Sequence, residues 1–243
     1  QEPAGPGSAG GTGGGVAWGD LDNDGDLDIA ENSEALGQGA HITIWRNDAG
    51  AFVGVSTYTF APARDGSIAL ADYDNDGDLD IAAQGDTSAG IALRIYRNDG
   101  ANTFANVASP SGLRGGGIAW GDYDNDGDMD LAANGNDGGG QRFRVFRNDS
   151  GTFNQVQEPA GATGPGDGGV AWGDVDHDGD LDLVVNGYTG SSWKFQVYRN
   201  DSNTFNLFAE PGGAAGLGSG SVAVSDMDMG GDGDVDLAVT GYD

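Results

Sequence analysis

One segment of about sixteen residues occurs four times in this 243-residue chain and a fifth time in degenerate form. The first copy reads GVAWGDLDNDGDLDIA and the third reads GIAWGDYDNDGDMDLA. The first aspartates of the five copies are Asp20, Asp72, Asp122, Asp174 and Asp226, so the successive spacings are 52, 50, 52 and 52 residues. A fixed period of this length is typical of proteins built from repeated structural units, in which each unit packs on its neighbours.

Each complete repeat contains four short apolar stretches of a length typical of β-strands. In the first repeat they are Val16–Trp18, Leu27–Ala30, Ile42–Trp45 and Phe52–Val55. They are rich in β-branched and aromatic residues and are bounded by Gly, Asn and Asp. An Arg-Asn-Asp motif follows the third stretch in four repeats, and no repeat has room for a long helix. Four strands in about 50 residues predict an all-β fold, a β-propeller of four-stranded blades.

We expect the chain to form a single repeat domain of about five units, at residues 1–61, 62–112, 113–164, 165–216 and, incompletely, 217–243. Gly-rich segments such as 115–117 and 161–169 would connect successive blades. The last unit ends after its second predicted strand, which would leave a sheet edge with unpaired backbone groups. This edge predicts either further chain in a parent protein or self-association with a neighbouring molecule.

The composition excludes several classes of function. There are 39 acidic residues against 10 basic ones, for a formal charge of −29. A nucleic-acid partner is not expected, because it would require basic surface stripes. No apolar run approaches the roughly 20 residues that span a membrane, and the absence of cysteine excludes disulfides. The 47 glycines and the high charge would also fit a disordered chain, but the regular spacing argues against disorder.

The acidic segments follow the pattern D-x-D-x-D-G-x-x-D, with one further aspartate at the seventh position. Calcium takes six to eight oxygen ligands, and the glycine permits the sharp reversal that brings later oxygens back to the ion. We therefore predict one Ca²⁺ per loop, held by side chains at positions 1, 3, 5 and 9. At position 7, as in Asp128, we expect the backbone carbonyl to coordinate and the carboxylate to remain free to reach water. An EF-hand needs glutamate at position 12, which is Glu31 in the first loop but Ala83, Ala133 and Val185 in the next three. The flanks are also strand-like and not helical, so an EF-hand is excluded.

The predicted metal-binding residues of the first four loops are Asp20, Asp22, Asp24, Asp26 and Asp28; Asp72, Asp74, Asp76, Asp78 and Asp80; Asp122, Asp124, Asp126, Asp128 and Asp130; and Asp174, Asp176, Asp178, Asp180 and Asp182. The fifth loop is irregular: it can begin at Asp226 with two inserted residues, or at Asp228 with Gly230 where a carboxylate is needed. Its predicted ligands are Asp228, Asp232, Asp234 and Asp236. Five Ca²⁺ ions would add ten positive charges and change −29 to −19. We therefore expect folding to be linked to calcium.

These loops and the flanking motifs resemble FG-GAP/VCBS repeats, the calcium-loop blades also found in integrin α-subunit propellers. The likeness rests on D-x-D-x-D-G-x-x-D in the first four units and on an aromatic-R-N-D motif followed by phenylalanine. It covers nearly the whole chain. The resemblance implies a β-propeller with one calcium per loop and usually seven blades, whereas this chain has four and a half units.

The sequence and the resemblance together favour an extracellular or cell-surface module without enzymatic activity. It would act in structure, adhesion or assembly, as a segment or filament subunit of a larger surface protein, with a protein or glycan partner. The alternative is a lectin propeller with sugar sites between blades, in which Trp18, Trp120 and Trp172 would stack on sugars instead of packing between blades. Paired carboxylates can also serve glycoside hydrolysis, but metal binding explains them better. His41 and His177 have no nucleophile near them in sequence, so no catalytic residue is predicted.

Overall fold

A computed structural model describes residues 14–35, 39–58, 64–100, 103–157, 166–211, 220–225 and 235–241. Its regular secondary structure in these ranges consists of antiparallel β-sheets. Within the same ranges there is no helix that could span a membrane. The chain divides into two compact units, Gln1–Arg114 and Gly115–Asp243.

The first unit contains two four-stranded sheets, each with its strands in sequence order. Sheet 1 consists of β1 (Val16–Gly19), β2 (Asp28–Ala35), β3 (Gly39–Asp48) and β4 (Ala51–Tyr58). Sheet 2 consists of β5 (Arg64–Ala71), β6 (Asp80–Thr87), β7 (Gly90–Asn98) and β8 (Phe104–Ala108). The four strands predicted in the first repeat are thus confirmed.

The second unit contains two further four-stranded sheets and a two-stranded one. Sheet 3 consists of β9 (Ile118–Gly121), β10 (Asp130–Asn136), β11 (Gln141–Asp149) and β12 (Thr152–Gln157). Sheet 4 consists of β13 (Val170–Gly173), β14 (Asp182–Tyr188), β15 (Trp193–Asn200) and β16 (Phe205–Ala209). Sheet 5 consists of β17 (Val222–Ser225) and β18 (Asp236–Val239).

The strand register repeats from sheet to sheet. The residue before the first loop aspartate pairs with the last loop aspartate in every sheet: Gly19 with Asp28, Ala71 with Asp80, Gly121 with Asp130, Gly173 with Asp182 and Ser225 with Asp236. A register shift follows between the third and fourth strands of each four-stranded sheet. Because side chains alternate between the two faces of a strand, equivalent residues of different repeats lie on equivalent faces.

In each unit the hydrophobic core lies between consecutive sheets. We call the face of a sheet that packs on the preceding sheet its leading face, and the opposite one its trailing face. In the first unit, Ala30 and Ile44 on the trailing face of sheet 1 join one buried cluster with Ile68, Ile81 and Ala83 of sheet 2. The apolar residues of the repeat are thus divided between two stacking faces.

The second unit stacks its three sheets in the same way. Phe143 and Val145 of sheet 3 share a buried cluster with Leu183 and Val185 of sheet 4. A further cluster joins Val184, Phe195 and Val197 of sheet 4 to Val222 of sheet 5. The stacking requires a bare backbone at Gly121, where an added Cβ would lie only 2.7 Å from Cδ1 of Trp172.

The second strand of each four-stranded sheet carries a buried amide, a feature not predicted from the sequence. These residues are Asn32, Gln84, Asn134 and Asn186, and all four are fully buried. The Nδ2 group of Asn32 donates to the carbonyl oxygen of Ser67 in sheet 2 at 3.3 Å, and Asn134 donates equivalently to Gly169 at 3.4 Å. The signal was present in the sequence, since an amide recurs at this register in four repeats.

Candidate metal centres

The acidic loops adopt one backbone arrangement in all four complete repeats. In the first loop, Asp20 accepts hydrogen bonds from the backbone N–H groups of Asp24 at 3.1 Å and Gly25 at 3.0 Å. The Asp24 carboxylate accepts one from the backbone of Asp26 at 2.9 Å. The same three bonds recur with the same lengths in the other loops. The loop conformation is therefore determined by its local sequence.

Two loop positions require a left-handed backbone. The glycine at position 6 has φ near +95°, and a Cβ added there, as at Gly127, would meet no atom within 4 Å. Glycine is therefore needed for its conformation and not for space. Position 4 also has positive φ, about +60°, at Asn23, Asn75 and Asn125, and at His177 in the fourth loop. Asparagine tolerates this conformation better than most residues do.

The fold brings three of the five predicted ligands of each loop together. The carboxylates at positions 1, 3 and 9 offer oxygens that lie within 4.8 Å of one another: Asp20, Asp22 and Asp28; Asp72, Asp74 and Asp80; Asp122, Asp124 and Asp130; Asp174, Asp176 and Asp182. The aspartates at positions 5 and 7, such as Asp24 and Asp26, are not in these groups. In the fifth loop, Asp228, Asp232 and Asp234 lie outside the described residues, and Asp236 begins β18.

The aspartate at position 9 is fully buried in all four groups. In the third loop, Asp130 accepts hydrogen bonds from the backbone N–H of Tyr123 at 3.1 Å and of Asn148 at 2.8 Å. Burial nevertheless raises the pKa of Asp130, and likewise of Asp80, to about 7. A nearby cation would favour the anionic form of such a carboxylate.

In the first and third loops the aspartate at position 3 carries a buried oxygen without a hydrogen-bond partner. Oδ1 is buried and unbonded in both Asp22 and Asp124. Burial is the main cause that raises the pKa of Asp124, and the charge of Asp126 adds to it. A desolvated carboxylate oxygen facing two other carboxylates is unfavourable unless a cation binds there. Several anionic oxygens in one group match the preference of a hard cation such as calcium, so the residues fit the predicted ion.

The asparagine of each Arg-Asn-Asp motif ties the third strand to the acidic loop. The backbone N–H of Asn98 donates to Asp80 at 2.8 Å, and its side-chain Nδ2 donates to the carbonyl of Leu79 at 3.2 Å and of Leu21 at 2.9 Å. Leu21 belongs to the loop of sheet 1, so one side chain links two loops. Asn200 makes the equivalent bonds in the second unit. The motif is visible in the sequence, but this role of its asparagine was not predicted.

The arginine of the same motif stabilises the turn beside the loop. Arg46 pairs with Asp48 at 2.7 Å, and Arg199 pairs with Asp201 at 2.8 Å. Their Nε atoms also lie within 4 Å of the carboxylate at position 3 of the loop: the Nε atom of Arg46 is 3.9 Å from Asp22, and that of Arg199 is 3.7 Å from Asp176. The arginines therefore offset part of the loop charge while remaining bonded mainly to the turn.

At the seventh loop position the side chain makes contacts that were not predicted, and coordination by its backbone carbonyl stays a prediction. The carboxylate of Asp128 accepts a hydrogen bond from the backbone N–H of Ser150 at 3.0 Å. In sheets 2 and 4 the equivalent carboxylate is bonded to the preceding loop: Asn23 donates to Asp78 at 2.5 Å and Asn125 donates to Asp180 at 3.0 Å. The seventh aspartate thus connects neighbouring elements through its side chain.

The repeated tryptophans occupy equivalent positions but different surroundings. Trp172 stacks on Tyr123 of the preceding sheet with 5.9 Å between ring centroids and an interplanar angle of 5°, and it donates to the carbonyl of Ala119 at 3.0 Å. Trp18 is 57% exposed and contacts Phe52 edge-to-face. Packing between sheets, predicted for these residues, is therefore observed at Trp172 and not at Trp18.

Comparisons with known proteins agree with this architecture. A family model described as FG-GAP-like repeat matches residues 35–83, 81–133 and 132–185. No curated protein sequence matches the chain. Among solved structures, the exotype rhamnogalacturonan lyase YesX is similar over 96% of this chain and 45% of its own, with a TM-score of 0.54 and 15% identity. The chain thus spans less than half of that lyase, and the likeness shows the fold alone.

Proposed function

Because the chain belongs to the FG-GAP-like repeat family, we propose that it is an extracellular, calcium-stabilised module of β-propeller type with a structural, adhesive or assembly role. The stacking of four-stranded antiparallel sheets within each unit, with a period of about 50 residues, supports the propeller arrangement. Calcium outside cells is millimolar, a concentration suited to weak surface loops.

The observation that carries this proposal is the group of three carboxylates that recurs in four sheets. Each group contains two loop side chains and the buried aspartate that begins the second strand of its sheet. A bound calcium ion would supply the positive charge that offsets their mutual repulsion. The loop's own backbone hydrogen bonds would hold the ligands in place, and the asparagines at 98 and 200 would link the loops of neighbouring sheets. A feature present once per repeat is architectural, whereas a catalytic site is needed once.

A glycan-binding role is the second candidate, and the exposed Trp18 favours it. Sugars stack on exposed aromatic rings, and Phe52 extends the apolar surface beside this indole. The lectin hypothesis, however, predicts a pocket at each repeat. Trp172, at the equivalent position, is stacked against protein rings, so we favour the structural role.

The test of the proposal is calcium binding coupled to stability. Isothermal titration should give at least four calcium ions per chain, and a chelator should lower the melting temperature strongly. With calcium at about 100 times each dissociation constant, four sites would contribute about 11 kcal/mol to the free energy of unfolding. An unchanged melting temperature in chelator would overturn the proposal.

A matched pair of variants locates the sites. Asp124→Asn removes a ligand with a buried, unbonded oxygen and should abolish binding of one calcium ion. Asp65→Asn is the control, because Asp65 is exposed, lies outside the four groups and already has positive φ, which asparagine tolerates. Both changes remove one negative charge, so a loss of binding in the first alone would identify a specific site.

A further inference from the structure

The side chain of Gln157, at the end of β12 in sheet 3, makes two hydrogen bonds to the backbone of the next sheet. Its Nε2 group donates to the carbonyl oxygen of Phe205 at 2.8 Å, and its Oε1 atom accepts from the backbone N–H of Phe205 at 2.9 Å. Phe205 begins β16, the strand at one edge of sheet 4. Both residues belong to the second unit. One primary amide thus bonds both polar backbone groups of a residue on the neighbouring sheet.

The two groups that Gln157 bonds face away from the rest of sheet 4. At the turn between β15 and β16, the carbonyl of Thr204 accepts from the backbone N–H of Asp201 at 2.9 Å, so it faces β15. Along an antiparallel strand, residues that bond to the partner strand alternate with residues whose N–H and carbonyl groups point away from it. The backbone groups of Phe205 therefore lie on the outer edge of the sheet, where a further strand would bond.

The amide of Gln157 makes the same bonds that an added strand would make. A residue of an incoming antiparallel strand would donate one N–H to the carbonyl of Phe205 and accept its N–H in return. A glutamine side chain carries the same donor and acceptor, and the two distances are those of ordinary N–H···O hydrogen bonds. Phe205 is only 3% exposed, so water has little access to these groups and Gln157 satisfies them instead.

Among the four-stranded sheets, only sheet 3 has an amide side chain at this register. The residue of the fourth strand that follows the register shift is Ser56 in sheet 1, Ala108 in sheet 2, Gln157 in sheet 3 and Ala209 in sheet 4. All four sheets pair their third and fourth strands in the same way, so this pairing does not require glutamine. The contact is therefore an addition to the repeat, specific to the edge of sheet 4.

The strand that Gln157 contacts has the composition of an edge that pairs readily. The sequence of β16, FNLFA, contains neither a charged residue nor a proline, which protect the edges of other sheets. Leu207 is 52% exposed and Phe208 is 57% exposed. By the alternation along β16, the backbone groups of Leu207 face outward like those of Phe205. Exposed apolar side chains beside outward-facing backbone groups are a template for strand pairing with another molecule.

We propose that Gln157 protects the outer edge of sheet 4: its amide occupies the bonding position of an added strand at Phe205 and prevents β16 from pairing with β16 of a second copy of this chain. A second copy is the partner to be excluded because β16 is itself extended, uncharged and apolar. Antiparallel pairing of two such strands would bury Leu207 and Phe208 of both copies in a symmetric contact. This inference goes beyond the proposed calcium role and does not depend on it.

Hydrogen exchange at single residues tests the contact itself. Gln157→Met keeps the length of the side chain and removes both hydrogen-bonding groups, so the N–H of Phe205 should exchange about tenfold faster at low protein concentration. The N–H of Asn206 faces β15 and should exchange as in the wild type. Gln155→Met is the matched control, because Gln155 is exposed on the same strand. Unchanged exchange at Phe205, or faster exchange at both residues, would overturn the proposal.

Sedimentation velocity of the full chain in calcium, from about 1 to about 100 μM, tests the protective role. Gln157→Met should associate with an apparent affinity about tenfold or more above that of the wild type, whereas Gln155→Met should match the wild type. Gln157→Ser, which introduces the residue of sheet 1, is a second variant with the same expected result. Adding Leu207→Lys to Gln157→Met should remove the extra association, because it places a charge on the edge. Association equal to that of the wild type in both Gln157 variants, or unaffected by Leu207→Lys, would overturn the proposal.

Failure of this inference can be told apart from failure of the proposed calcium role. Every variant keeps the four carboxylate groups, so its calcium stoichiometry should match that of the wild type. Normal calcium binding together with unchanged association of the Gln157 variants would reject the edge protection alone. Absence of calcium binding in the wild type would reject the proposed function and not the role of Gln157.

Discussion

Sheets 1 and 4 begin with the same five residues, Val-Ala-Trp-Gly-Asp, yet the tryptophan of one is exposed and that of the other is stacked between sheets. Their loops are alike: Asp20 and Asp174 accept the same two backbone hydrogen bonds at the same distances. The strand pairing beside the loops is also the same. The two sheets therefore differ in their neighbours and not in their own folding.

This difference separates two kinds of stabilisation. The hydrogen bonds within the loop join residues a few positions apart and recur in all four complete repeats. The burial of a sheet face depends on which sheet packs against it. Identical residues on equivalent faces of different sheets therefore contribute differently to stability. Substitutions at equivalent positions of sheets 1 and 4 should therefore have equal effects in the loops and unequal effects on the faces.

The largest difference is expected for the tryptophans. Trp172→Ala should lower the free energy of unfolding by about 3–5 kcal/mol, because it removes a packed ring and leaves a cavity between sheets 3 and 4. Trp18→Ala should cost less than about 1 kcal/mol in the monomer, since much of that ring is already in water. Urea unfolding in calcium at low protein concentration measures both. Equal losses would show that the leading face of sheet 1 is covered in solution.

A smaller difference is expected for the asparagines of the Arg-Asn-Asp motif. Asn200 is fully buried and donates to the carbonyls of Leu181 and of Tyr123 in the preceding sheet, whereas Asn47 is half-buried and donates to Leu27. Asn200→Ala should cost about 2–3 kcal/mol and Asn47→Ala about 1 kcal/mol, because unpaired buried carbonyls carry a desolvation penalty. The same unfolding experiment compares them. A larger loss at Asn47 would contradict the role assigned to the link between sheets.

The smallest expected effect is the change in calcium affinity when the arginine of the Arg-Asn-Asp motif is replaced. This change should be the same in sheets 1 and 4. The Nε atom of Arg46 lies 3.9 Å from Asp22, and that of Arg199 lies 3.7 Å from Asp176. Each guanidinium therefore places a positive charge beside a proposed calcium ligand. Arg46→Ala and Arg199→Ala should each raise calcium affinity by about two- to threefold at low salt. Calcium titration at two ionic strengths measures this change. A rise in one sheet only would show that the loops are not equivalent.

Much of this architecture could be predicted from the repeat. The spacing of the aspartates and the four apolar stretches predict the strands, their order within a sheet and the loop between the first two strands. Position 6 must be glycine because of its φ, and the alternation of carboxylates places several of them on one side of the loop. These features are local, so the sequence of one repeat is sufficient to specify them.

Other features required the three-dimensional contacts. The carboxylate of Asp128 is bonded to a turn 22 residues away, and Asn125 reaches the loop of the next sheet, 55 residues away. Asn148-Asp-Ser and Asn200-Asp-Ser match the N-glycosylation pattern, but both asparagines are fully buried. A sequence pattern shows which chemical groups are present, whereas the packing shows which of them solvent or a partner can reach.

The sequence by itself determined the repeat, the strands and the acidic loops, because these depend on residues that are close along the chain. Only the tertiary structure decided which carboxylates meet, which asparagines join neighbouring sheets, and which tryptophan is covered. The physical reason is that burial depends on the neighbouring sheet as well as on the residue itself. Trp18 and Trp172 occupy the same place in the same motif, but among the described residues a neighbouring sheet packs against Trp172 and none packs against Trp18.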